Sequence, residues 1–543
     1  MSAITPYKSR TDELIAAYRA AKSAPATTAG LAAWVVWALA ALLVAAVVLP
    51  LFLIDIVPLT DFPAHLARVT LLSHLPLDPL LARAWAVDMR PLPNLAMDVF
   101  VPLVAPVLGA EVGLKVFMAL GVALWVAGAV LIYRALWREW SPQPLFAVFF
   151  ATNATFYYGF SNFHVGAGLA LTAAGVWALT ERRGPLLLAA MSLVALVLLF
   201  CHLMAVGIFG LIVGGLELGR LWRARASAPQ IARALAEGAV VFLPAALAWG
   251  LLFEHGRETG VEFKWLNNLL ALFIYSSGAG AIRYNALPFL AMGAAFALAW
   301  RTGRLRIAYA ALPAVALLVV ATLLCPAVAL SGAIIHVRLP AVACVLILVS
   351  ARVVLDQGWR APLMAGLAVA TFACGALEYA RWLPGAAEIA AIRAAAARHI
   401  ETGARVMTAL AGENDFALAH AVDLTVLDRK TFVPSFFTTR GQSTIVVKDA
   451  YRDIAAGDTI EGAFPTFAEI APFLRPERPT LTPAQYRALR PYRDMACEFD
   501  YLYVIGDLPE GSAPPASLRL LEAEKGFSLY KIVAPAERGC GGR

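Results

Sequence analysis

The sequence predicts an α-helical polytopic membrane protein of about eleven transmembrane helices with a C-terminal soluble α/β domain. Three observations carry that expectation. Of the 543 residues, 60% are hydrophobic and only 15% charged, with a mean hydropathy of +0.71, far from the soluble average. Residues 31–54 are an unbroken uncharged run, too long for a signal-peptide core and without a small-x-small cleavage site after it. From about Arg381 onward the composition turns polar, with short β-branched and aromatic runs between turn residues. The formal charge of +7 does not imply a nucleic-acid partner, because the arginines sit in short loops between apolar spans, where they orient a membrane chain.

Taken in order, residues 1–30 carry Lys8, Arg10, Arg19 and Lys22 and form a cytoplasmic segment. The transmembrane region covers 31–380. Its first span is followed by a long outer loop, 55–115, in which Leu95 to Leu108 is apolar but holds Asp98, Pro102 and Pro106. That stretch reads as a helix lying in the membrane interface. Further spans follow near 116–133, 142–160, 163–180, 185–201, 203–216, 238–253, 286–300, 307–330, 339–355 and 361–380. The uncharged run from Pro185 to Leu216 is split at His202, since a single span would carry Arg220, Arg223 and Arg225 to the outer side. Within residues 1–380 this layout leaves seventeen basic residues inside and eight outside. It places the N-terminus in the cytoplasm and the C-terminal domain, 381–543, outside.

In that domain Ala386 to Ile400, 448–455 and 481–490 read as helices, and Arg405 to Ala409, Leu424 to Leu427, Tyr501 to Ile505 and Phe527 to Ile532 as strands. No Gly-rich phosphate loop or Ser/His/Asp spacing occurs there, so it is assigned a supporting or acceptor-binding role and no chemistry. Cys201, Cys325, Cys344 and Cys374 lie in or at apolar spans, whereas Cys497 and Cys540 are free to pair if the domain is exported.

The unusual polar residues converge on the outer side. Asp61, His65 and Arg68 follow the first span; Tyr157, Asn162 and His164 lie in an outer turn; His202 caps the next hairpin; Arg283 closes a second long loop; His336 and Arg338 open a late span. Six of the eight histidines fall on this face. Asp61 followed by Pro63 is also what a plain helix N-cap looks like. Arg338 and Arg283 are cations on the disfavoured side, where a phosphate partner or a neighbouring carboxylate would explain them.

The motif Thr60-Asp61-Phe-Pro-Ala-His65-Leu-Ala-Arg68 after a first span, then Arg90-Pro-Leu-Pro-Asn94 before an apolar stretch, resembles the GT-C superfamily of membrane glycosyltransferases. Phe156 to Gly168, His336-Val-Arg338 and an exported α/β domain extend the resemblance over most of the chain. More narrowly it is similar to bacterial membrane proteins with an Asp-x-Pro-x-His-x-x-Arg first loop, which implies the bacterial inner membrane. The resemblance implies a polyprenyl-phosphate-sugar donor, inversion, and Asp61 as the base on an acceptor that is an envelope glycan, a lipid or a protein. Phe62 stands where an acid often follows in the superfamily, which puts metal dependence in doubt.

The chemistry fits those residues. Displacing a lipid phosphate needs a base at the acceptor hydroxyl and a fixed cation for the charge developing on the leaving oxygen. Asp61 is assigned the first role and Arg338 the second, with Arg283 behind it. His65, Arg68, Tyr157, Asn162, His164, His202 and His336 are candidates to orient Asp61 or bind sugar. A divalent metal is the lowest-ranked role for the histidines, because no tight ligand spacing exists. Two other classes stay open. One is a transporter or flippase, which should place ionisable residues near the midplane; the other is a non-catalytic assembly factor for envelope polymers.

Overall fold

A computed structural model describes residues 31–180, 183–253, 260–278, 285–329, 332–412, 415–438, 441–455, 464–476, 479, 492–509 and 513–533. Arg283, the helix anticipated over 481–490, Cys540 and the N-terminal segment lie outside the described residues. The helices of the membrane part are α1 (Ala33–Leu53), α2 (Phe62–His74), α3 (Ala96–Leu108), α4 (Ala110–Trp137), the short α5 (Ala154–Tyr158), α6 (Ser161–Leu179), α7 (Pro185–Cys201), α8 (Leu203–Ala224), α9 (Ala228–Leu252), α10 (Trp265–Ile274), α11 (Leu287–Arg301), α12 (Leu312–Leu324), α13 (Pro340–Ser350) and α14 (Gln357–His399). Six of these, α1, α4, α6, α8, α9 and α14, are long and apolar enough to cross a membrane, and shorter apolar helices stand among them.

The bundle is built around α4 and α6, whose surfaces are the most buried of the long helices. Their close approach is set by glycine. A Cβ on Gly128 would fall 2.5 Å from Leu171 Cβ, and one on Gly175 would fall 2.6 Å from Leu131 Cβ. Small residues let backbones approach where lipid supplies no hydrophobic drive between helices. On α9, by contrast, Leu235, Leu243, Leu247 and Leu251 stay exposed, as suits a helix whose outer face meets lipid.

Two local expectations are corrected. The anticipated span over 142–160 is not one helix: it breaks into a 3-10 turn over Gln143–Ala147, a single turn over Val148–Ala151, and α5. Asn153 causes the second break, because its Oδ1 accepts from Thr155 N–H at 2.9 Å and caps α5, and Gly159 at φ 81° then ends α5. The anticipated strand over 424–427 is helical instead, since Leu424 closes a 3-10 segment and Thr425–Arg429 forms a helical turn. At His202, in extended conformation at φ −172°, α7 and α8 meet as two helices. On α3, Val99, Leu103 and Val107 are exposed one turn apart while Met97, Asp98 and Val101 are buried, so the helix turns one apolar face outward.

The far end of the bundle collects basic residues. Arg183 bridges Glu217 and Glu237, Arg352 pairs with Glu139 at 2.7 Å, and Leu305–Ile307 (β2) pairs antiparallel with Ala351–Val353 (β3). His202 at the start of α8 and Arg220 in its last turns are therefore separated by most of a membrane thickness.

The C-terminal domain is continuous with the bundle. Helix α14 runs through the expected boundary at 380/381 without a break, and its last turns bury Ile389, Ile392, Ala395 and Ala396. The domain's sheet has the order β4 (Val406–Leu410), β6 (Tyr501–Ile505), β8 (Phe527–Ile532), β7 (Leu518–Glu524), with β4 and β6 parallel and the other pairs antiparallel. Tyr503 in β6 donates to Ile392 O at 2.8 Å and ties the sheet to α14. The outer loop joins it too: Trp85–Val87 (β1) pairs antiparallel with Ile445–Val447 (β5), and the Trp85 ring stacks on Phe432 at 5.1 Å. Cys497 is disulfide-bonded.

Candidate active site

Asp61 immediately precedes α2, where a capping aspartate would sit. Its backbone is already helical at φ −93° and ψ −5°, and its side chain makes no capping hydrogen bond. The main chain is held from another element instead. Asp61 N–H donates to Tyr158 O at 3.0 Å and Thr60 N–H to Tyr157 O at 3.3 Å. Gly159 follows in the left-handed conformation, and a Cβ there would lie 3.1 Å from Asp61 N and 3.2 Å from Asp61 Cβ. That close approach, at a φ that glycine adopts without cost, fixes where Asp61 stands.

What meets its carboxylate comes from the C-terminal domain. Asp61 Oδ1 lies 3.9 Å from His420 Nε2, and His420 Nδ1 hydrogen-bonds Asp423 Oδ2 at 2.6 Å. His420 and Asp423 are fully buried. Rings of Phe437, Phe464 and Phe416 stand 4.6, 4.8 and 6.3 Å from the His420 ring. Burial pushes the Asp423 carboxyl above the usual carboxylate range, and His420 opposes it. One turn into α2, His65 packs against Phe437 at 5.5 Å. Burial first, then the charges of Arg68 and His420, lower its pKa to about 3, so His65 is neutral at physiological pH.

Arg68 and Asn162 brace this region from within. Arg68 Nε donates to Asp98 Oδ2 at 3.0 Å, its Nη2 reaches the same oxygen, and Thr444 Oγ1 donates to it at 2.7 Å. Asp98 thereby ties α2, α3 and the C-terminal domain together at a buried point. The Asn162 amide accepts from Met97 N–H at 2.8 Å and donates to Asn94 O at 2.7 Å, clamping the turn where Asn94 adopts φ 67°.

Arg338 lies over the Phe160 ring at 4.8 Å and near Phe163 at 5.7 Å, with Nη1 at 2.7 Å from His202 Nε2. His202 Nδ1 accepts from Met204 N–H at 3.1 Å, so this ring links the α7–α8 junction to Arg338. The consecutive residues Gly159 and Phe160 thus touch Asp61 and Arg338 respectively.

The remaining candidates sit deeper or apart. His164 stacks on Trp125 at 5.5 Å within the α4–α6 pair, Tyr157 donates to Glu378 Oε1 on α14 at 2.5 Å, and His336 meets Tyr275 edge-on at 5.4 Å. Among the described residues no group of three or more His, Cys, Asp or Glu is arranged to hold a metal. Sequence reasoning missed His420, Asp423, Asp98, Thr444 and Glu378. For His420 and Asp423 a signal existed: an ionisable pair three residues apart inside the apolar run Phe416 to Leu424.

No family model and no curated protein matches the chain. Among solved structures, it is similar to ArnT from Cupriavidus metallidurans bound to undecaprenyl phosphate, at 12% identity and TM-score 0.47, over 94% of this chain and 100% of that one. The apo state of the same protein aligns at 12% identity and TM-score 0.44, over 93% of this chain and 99% of that one.

Proposed function

We propose that the chain is an inverting membrane glycosyltransferase that moves a sugar from a polyprenyl-phosphate donor to an acceptor outside the bacterial inner membrane, with the N-terminus cytoplasmic and the C-terminal domain exported. The observation that carries this reading is that the Asp61 side chain does not cap its own helix. A carboxylate without that duty, approached by Gly159 while the next residue, Phe160, lies under Arg338, supports a base and a charge acceptor working on one substrate.

In this reading Asp61 takes the proton of the acceptor hydroxyl as its oxygen attacks the anomeric carbon, and Arg338 balances the charge that develops on the departing phosphate oxygen. A single in-line displacement inverts the anomeric configuration. The apolar rings of Phe160 and Phe163 flanking Arg338 lower the local dielectric, which strengthens its hold on phosphate.

The test uses the purified full chain, a panel of undecaprenyl-phosphate hexoses and pentoses, and water or an added bacterial envelope glycan as the acceptor of the sugar, with release of undecaprenyl phosphate as the readout. Release from at least one donor is expected. Arg338→Ala should raise the donor KM on the order of 10- to 100-fold, and Arg338→Lys, which keeps charge but loses the planar fork, by less. No release from any donor overturns the reading, and unchanged donor affinity in Arg338→Ala removes Arg338 from it.

A further inference from the structure

We propose that His420 and Asp423 of the C-terminal domain form a positioning and proton-accepting pair for Asp61, so that the catalytic centre is completed by a domain to which the sequence assigns no chemistry. The proposal rests on the reading of Asp61 as the base.

The geometry is that of an oriented imidazole. Asp423 Oδ2 is 2.6 Å from His420 Nδ1, which places the ring proton on Nδ1 and turns Nε2 toward Asp61 Oδ1, 3.9 Å away. The ring's position is held by Phe416 of its own segment and by Phe437 and Phe464. The charged or titratable groups around it are Asp61 before α2, His65 and, behind it, Arg68 on α2, and Asp423 on its own segment.

The chemistry balances as follows. The acceptor O–H proton passes to Asp61 as the new C–O bond forms and the bond to the phosphate oxygen breaks. Asp61 then gives that proton to His420 Nε2, which becomes an imidazolium facing the Asp423 carboxylate, and Asp61 is an anion again for the next turnover. Once product has left, the proton passes from His420, which is fully buried, back through the partly exposed Asp61 to solvent, and the resting state is restored. A buried imidazolium is tolerable only beside a buried counter-charge, which is what Asp423 provides.

The experiment compares His420→Gln, Asp423→Asn and Asp61→Asn with wild type, using the panel donor that the wild type turns over. His420→Gln should lower kcat on the order of 10- to 100-fold with donor KM unchanged, and should move the acid limb of the pH–rate profile. Asp423→Asn keeps the imidazole and its aromatic cage, so it provides the same test should His420→Gln fail to fold; a smaller loss with the same unchanged KM is expected. The double variant Asp61→Asn with His420→Gln should be no slower than Asp61→Asn alone, because His420 acts through Asp61. If Asp61→Asn is inactive while folded His420→Gln and Asp423→Asn keep the wild-type kcat and pH profile, the pair is structural and this proposal falls by itself. If Asp61→Asn is fully active, the underlying reading falls instead.

Discussion

At the scale of single residues the proposed base and the groups that brace it are held differently. The Thr60 and Asp61 N–H groups donate to Tyr157 O and Tyr158 O and the Asp61 side chain makes no capping bond, whereas Arg68, equally conspicuous in the sequence, is committed to Asp98. His65 shows how burial tunes a neighbour of the site. Its pKa falls to about 3 in the fold against 6.5 when unfolded, so between those values only the unfolded chain takes up its proton. Stability from this residue is therefore complete above about pH 6.5 and declines as pH falls toward about 3, by roughly 1.4 kcal/mol per pH unit while one proton separates the states. His65→Gln cannot take that proton. The thermal unfolding temperature of this variant in detergent should fall less than that of wild type between pH 7 and pH 4, and parallel curves would show that His65 is not buried neutral.

At the scale of elements, the turn that ends α5 sets the site's dimensions. Gly159 has φ 81° and leaves only 3.1 to 3.2 Å between an added Cβ and the backbone and Cβ of Asp61 and Phe62. Gly403 has the same φ of 81° with nothing within 4 Å of an added Cβ. Both alanine variants carry the left-handed cost of about 1–2 kcal/mol, but Gly159→Ala alone must also push Asp61 aside. Sub-ångström to 1 Å misplacements of catalytic groups cost up to about 100-fold in rate. Gly159→Ala should thus lose at least about ten times more donor-release activity than Gly403→Ala at a similar unfolding temperature. Equal activities would mean that Asp61 is not positioned by this turn.

Much of this level could be read in advance, and some of it could not. The division at His202 followed from the arginines beyond it, and the strands over 501–505 and 527–532 followed from their β-branched and aromatic runs. The break inside 142–160 was hidden because its causes, a local Asn153 cap and the Gly159 terminus, are short-range and sit within an apolar stretch. His420 and Asp423 were invisible as partners of Asp61 since no local pattern reports a contact across most of the chain. The same holds for Thr444 on Asp98 and for β5 on β1.

Over the whole molecule, the membrane bundle and the C-terminal domain meet where the polar residues of the outer loop collect. Helix α14 carries the chain from one to the other, the strand pair β1–β5 stitches the first loop to the domain, and the Arg68–Asp98–Thr444 contact closes the seam. The sequence assigns the C-terminal domain no chemistry, and in the structure that domain brings His420 Nε2 to 3.9 Å from Asp61 Oδ1. Basic residues gather at the opposite end of α8, the end that the proposed orientation sets in the cytoplasm. The decisive measurement on this arrangement is Asp61→Asn in the purified full chain, with release of undecaprenyl phosphate from the donor that wild type uses and binding of that donor followed side by side. Because Asp61 makes no capping bond, the amide should leave folding and donor binding intact. Release should fall on the order of 10²- to 10⁴-fold, the scale of losing a general base. Release at near the wild-type rate would contradict the assignment of this site as the place where the sugar is transferred.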